Sequence, residues 1–73
     1  MIYLVASEND SVINSIHRAV NAARIALDER KQYARKMGGY TPFRIYSVEE
    51  RMTFLKKMSF GEIMRNYNLT VID

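Results

Sequence analysis

At 73 residues the chain has room for one small domain, and a core of that size supplies only a few kcal/mol of net stability. The absence of cysteine excludes a disulfide framework, a thiolate nucleophile and a Cys-ligated zinc, and suits a reducing cytoplasm. Leu, Ile, Val and Phe make up about a quarter of the residues, above the roughly 20% below which disorder is the better expectation, and the formal net charge is +3.

That charge is unevenly placed. Between Arg18 and Lys36 stand Arg18, Arg24, Arg30, Lys31, Arg35 and Lys36 against Asp28 and Glu29, whereas Glu49 to Asp73 carries four residues of each sign. A basic helix beside a neutral apolar tail points to two surfaces with different partners. No apolar run approaches the roughly 18 residues of a membrane span. The opening MIYLVASEND is acidic where a signal peptide is basic. The reading is a soluble cytoplasmic protein with no membrane partner.

In chain order, IYLVA at 2–6 is rich in β-formers, and Glu8, Asn9, Asp10 and Ser11 supply turn chemistry. VINSIH at 12–17 reads two ways. As a helix, Asp10 or Ser11 is its N-cap, and Ile13, Ile16, Val20, Ala23 and Leu27 form a stripe at helical spacing. As a strand it returns from the turn to form a hairpin. The strand is preferred, because a stable sheet usually needs three strands.

AVNAARIALDERKQYARKM at 19–37 is dominated by helix formers, carries Val20, Ala23, Leu27, Ala34 and Met37 on one face, and stops at Gly38-Gly39. After Pro42, PFRIYSV alternates, with Phe43 and Ile45 on one face and Arg44, Tyr46 and Val48 on the other. The expected fold is α+β: a small three-stranded antiparallel sheet with one covering helix, in the order strand-strand-helix-strand over 1–50. A flexible or short-helical C-terminal tail follows over 51–73. The expected core-facing set is Ile2, Leu4, Val12, Ile16, Val20, Ala23, Leu27, Phe43 and Ile45.

One helix covers one face of such a sheet, so the other face stays open unless the tail or a partner covers it. Arg44 and Tyr46, beside Tyr3 of the first strand, are the expected partner-binding residues there. The tail adds Phe54, Leu55 and Phe60, from a run of apolar and methionine side chains that either docks into another protein or folds back on the sheet. Arg24, Lys31 and Arg35 on the helix are candidate contacts for nucleic-acid phosphates. Ser59 followed by Glu62 is a capping box, so FGEIMRNY starts a helix of about two turns ended by Asn68. Only LTVID remains after it, too little for the recognition helix of a helix-turn-helix, so no sequence-specific DNA reading is expected.

Catalytic signals are sparse. His17 is the sole histidine, and no carboxylate is placed by spacing to orient it toward Ser11 or Ser15. Gly38-Gly39 lacks the Lys-Ser/Thr pair of a phosphate loop, and Asp28-Glu29 diverge on a helix and make a poor metal pair. The sequence therefore points to a protein that is not an enzyme and uses no cofactor or metal.

IYLVASEND, VINSIHRAVNAARIA and YTPFRIYSVEE together resemble the strand-turn-strand-helix-strand layout of small phage-encoded and prophage-encoded proteins that begin with a Lys/Ile-Tyr-Leu-Val strand. The likeness covers about two thirds of the chain, as a layout with no short signature to fix individual contact residues. With its length, its basic charge and its lack of Cys and Trp, the chain is similar to the small transcription regulators of lytic phages such as those infecting Xanthomonas. The resemblance implies a non-enzymatic regulator that binds host bacterial RNA polymerase through its large subunits, in company with elongation factor NusA and with nascent RNA nearby. It also implies inhibition of initiation by σ displacement, and antitermination at intrinsic terminators. The residues themselves leave two other readings open: a small RNA-binding module, and a phage inhibitor of another host protein such as a nuclease or defence complex.

Overall fold

The computed structural model describes residues 1–9 and 11–73. Its elements are β1 (Ile2–Ser7), β2 (Val12–His17), α1 (Val20–Lys36), β3 (Arg44–Val48), α2 (Met52–Leu55), α3 (Phe60–Asn66) and β4 (Thr70–Val71). They form an α+β domain around a four-stranded antiparallel sheet of order β2-β1-β3-β4.

The hairpin reading of 12–17 holds, since β2 pairs antiparallel with β1 from Tyr3↔His17 to Ser7↔Val12. The helix begins only at Val20, with Ala19 at its N-cap and no side-chain cap bond. Ser11 in the connecting turn takes φ 51, and the alternative cap at Asp10 lies outside the described residues. The pairing also explains the helical spacing of Ile13 and Ile16. Val5 pairs with Ser15 but Ala6 pairs with Ile13, so Asn14 is the extra residue of a β-bulge. The bulge resets the alternation of β2 and places Ile13 and Ile16 on the same face, the one shared by Leu4 and Ala6.

β1 is central and apolar on both faces, the pattern of a strand covered from both sides. Val5 packs with Ile45, Ala23 and Leu27 under α1, joined by Tyr3, Ala26 and Phe43. Ile2, Leu4 and Ala6 pack with Tyr46 and Val48 against Leu55, Phe60 and Ile63 of α2 and α3. Of the alternatives for the second sheet face, cover by the tail is the one found. Segment 51–73 covers it, and the sheet lies between two helical layers.

Two expectations change for the same reason. Register places Val5 opposite Ile45 and Leu4 opposite Tyr46, so Ile2 and Leu4 belong with the tail-covered face and not with Phe43 and Ile45. The sheet has four strands rather than three, because the chain end returns beside β3. There Tyr46 pairs with Val71 and Ser47 with Thr70, the Ile72 N–H donates to the Ile45 carbonyl at 2.8 Å, and the Ile45 N–H donates to the Asp73 carbonyl at 2.9 Å. Val12, expected in the core, and Met37, placed on the apolar face of the helix, are exposed near the ends of their elements.

The helix ends behave as their sequences predict. Gly38, at φ 79, donates to the Arg35 carbonyl at 3.0 Å, and Gly39 donates to the Ala34 carbonyl at 2.9 Å, which together make a Schellman cap on α1. At α3 the Glu62 N–H donates to Ser59 Oγ at 3.2 Å and the Ser59 N–H donates to Glu62 Oε1 at 3.3 Å, closing the capping box. No helix is long and apolar enough to cross a membrane among the described residues.

Candidate binding surface

The residues expected to bind a partner divide into interior and surface groups. Leu55 and Phe60 are fully buried, and Tyr46 is 2% exposed, its ring tilted against Phe60 at 5.1 Å between centroids. These three hold the tail to the sheet and offer a partner almost no area. That corrects their assignment to a contact surface, because the tail itself already occupies the face they share. Tyr3 is half-buried beneath α1, while Arg44 and Phe54 are exposed.

Tyr46 reaches the surface through its hydroxyl. The O–H donates to Glu8 Oε1 at 3.0 Å, linking β3 to the turn after β1 across 38 residues of sequence. Burial, and then the Glu8 carboxylate, push the phenol up to about 12, while Arg44 pulls slightly the other way. A second link of the same kind lies between Tyr67 and Glu50, where the O–H donates to Oε2 at 2.8 Å. Glu50 is held below the ordinary carboxylate range by the Arg51 backbone N–H and by that phenol, and the Tyr67 hydroxyl is raised by the Glu50 carboxylate.

Three neighbouring open depressions share lining residues here. The first, about 280 Å³, is lined by Glu8, Tyr46, Met64, Tyr67, Leu69 and Val71. The second, about 230 Å³, shares Glu8 and Tyr46 and adds Asn9, Tyr40, Pro42 and Arg44. The third, about 280 Å³, shares Tyr40 and continues to Lys31, Arg35, Gly39 and Thr41 on α1. A row of three neighbouring depressions, joined only by shared side chains, thus leads from the apolar side of α3 and β4, past the Glu8–Tyr46 link, to the basic flank of the helix. Arg44 is the expected partner-binding residue that this row brings to the surface whole. Phe54 is not among the residues lining these three depressions.

Arg24, Lys31 and Arg35 are all exposed. Helical spacing sets them on one flank, with Arg24 two turns before Lys31 and Arg35 one turn after it. Arg30 is different. Its guanidinium lies 4.6 Å from the Phe43 ring centroid and 5.8 Å from that of Tyr33, and its Nε is buried without a hydrogen-bond partner. It packs the middle of α1 against the Phe43 ring just before β3.

β2 also brings together a pair that sequence spacing left undecided. His17 Nε2 lies 2.7 Å from Ser15 Oγ, two residues away on the same strand. Among the described residues no carboxylate is hydrogen-bonded to His17, and no group of three His, Cys, Asp or Glu side chains is placed to hold a metal. The pair has the contact of a nucleophile with a base but no orienting third group.

Sequence reasoning missed Glu8 and Tyr40 as surface-site residues, and read Met64, Tyr67 and Val71 only as part of the apolar tail. Tyr40 carried a signal in the stretch GGYTP, where a large ring interrupts residues suited to a turn. Glu8 carried none, because only strand pairing brings it to Tyr46. Comparison with protein-family models, curated proteins and solved structures finds no match to this chain.

Proposed function

We propose that this protein is a non-enzymatic regulator that works by binding a larger protein, and that its partner is host bacterial RNA polymerase. In this reading it acts in the bacterial cytoplasm, lowers initiation by displacing σ factor and lets elongating polymerase, with NusA, pass intrinsic terminators. The observation that carries the binding reading is the row of three neighbouring open depressions, with Arg44 exposed between an apolar end and a basic end. Arginine among aromatic and aliphatic side chains on a rigid strand is the composition of a protein-binding hot spot. The choice of polymerase rests on the resemblance of the strand-turn-strand-helix-strand layout to small phage regulators.

The test is transcription reconstituted from purified host core polymerase, σ factor and a template carrying a promoter and an intrinsic terminator. The expected result is fewer initiations when the protein precedes σ, and more read-through when it is added to elongating complexes. Unchanged initiation and termination at saturating protein would overturn the polymerase reading.

A further inference from the structure

Tyr40 is 90% exposed, the most exposed of the protein's large hydrophobic side chains, and it has no hydrogen bond or ring contact among the described residues. It follows directly on the Schellman cap and shares an open depression with Lys31, Arg35, Gly39 and Thr41. The cap explains why the ring stands where it does. Gly38 at φ 79 turns the chain sharply off the helix axis, and Pro42 stiffens the path into β3.

The depression combines an uncovered ring with two cations one helical turn apart, and Arg24 continues the charge along the same flank. The two cap glycines have already committed their N–H groups, Gly38 to the Arg35 carbonyl and Gly39 to the Ala34 carbonyl, so the positive charge that meets an anion here comes from side chains. The helix C-terminus itself disfavours an anion, which leaves the charge of Lys31, Arg35 and Arg24 to outweigh it. The one carboxylate on this flank, Asp28, lies between Arg24 and Lys31 and accepts a hydrogen bond from Gln32 Nε2 at 2.9 Å without losing its charge, so the cationic character is concentrated at Lys31 and Arg35.

A partner that uses both features must present a flat π-surface and closely spaced negative charges. Single-stranded nucleic acid does so at every nucleotide, whereas a duplex keeps its bases stacked inside and an acidic peptide leaves the ring idle. We propose that Tyr40, Lys31 and Arg35 form a stacking site for single-stranded nucleic acid, in which a base lies on the Tyr40 ring and the flanking phosphates lie against Lys31 and Arg35. Arg24 extends the phosphate track along α1. The site goes beyond the regulator reading and is tested without polymerase, so the failure of one is distinct from the failure of the other.

The experiment is fluorescence anisotropy of a labelled oligouridylate of about eight nucleotides titrated with the full-length chain across a salt series. Single-strand binding at low salt is expected. Tyr40→Ala should weaken it roughly tenfold while Tyr40→Phe retains it, the loss expected from one stacked base. Lys31→Gln combined with Arg35→Gln should reduce the slope of log affinity against log salt by about 1.4, two phosphates' worth for a single strand. All of these side chains are exposed, and circular dichroism checks that the variants keep the fold. Three results would overturn the site: no binding at low salt, Tyr40→Ala binding as tightly as the wild type, or a duplex or oligoglutamate competing as well as the single strand.

Discussion

Tyr46 combines two duties in one side chain. Its ring is buried against Phe60, and its hydroxyl holds the Glu8 turn at 3.0 Å. Because burial and Glu8 raise the phenol from 10.0 to about 12, the folded state keeps a proton that the unfolded state has lost between those values. The sign follows from linkage: this contribution to stability is fully present below pH 10 and is lost as pH rises toward about 12. Tyr46→Phe should therefore cost about 1 kcal/mol at neutral pH, the usual net worth of a hydrogen bond, and should lessen the alkaline loss of stability. Urea unfolding at pH steps from neutral to alkaline measures both effects. A Tyr46→Phe variant whose alkaline decline matches that of the wild type would show that the Tyr46 phenol does not contribute to the alkaline loss.

Among the elements, those set by local chemistry were legible in the sequence and those set by long-range pairing were not. The Schellman glycines of α1 and the capping box of α3 are short-range devices, and both form as read. Gly38→Ala should cost about 1–2 kcal/mol, because at φ 79 the penalty is one of backbone conformation and nothing lies within 4 Å of an added Cβ. Ser59→Ala should cost about 1 kcal/mol through loss of the α3 cap. Both costs are readable as shifts in the urea midpoint at constant slope, and a Gly38→Ala protein as stable as the wild type would contradict the cap assignment.

β2 shows why spacing alone misleads. Ile13 and Ile16 mimic a helix because a bulge at Asn14, visible only in the pairing with β1, moves them to one face. β4 was not legible at all, since two residues carry no periodic signal and Thr70 and Val71 become a strand only by lying beside β3. The site followed the same division. Arg44 could be read from the alternation of PFRIYSV and Tyr40 from the turn just before it, whereas Glu8 joins them only through the folding of a distant segment.

Over the whole molecule, the tail and the strands depend on one another. Leu55, Phe60 and Ile63 are fully buried in the cluster that contains Ile2, Leu4 and Val48. A chain ending at Glu50 loses this layer together with β4 and uncovers one face of β1 and β3. Replacing one buried Phe by Ala alone costs about 3–5 kcal/mol, comparable with the whole stability of a domain this small. The truncated chain is expected to lack a cooperative thermal transition, and a sharp transition near that of the full chain would show that 1–50 folds by itself.

With the interior so occupied, the proposed partner contact lies in the depression lined by Glu8, Tyr40 and Arg44. The most direct measurement is equilibrium binding of the immobilised full chain to purified host core polymerase, wild type against Arg44→Glu, with thermal unfolding of both proteins as a control. Arg44 is exposed, so the substitution should leave the melting transition in place and weaken binding by about tenfold or more, the scale of a hot-spot side chain. Equal affinity of the two folded proteins would move the contact elsewhere, and the absence of any binding by the wild type would contradict the proposal that this protein acts on polymerase.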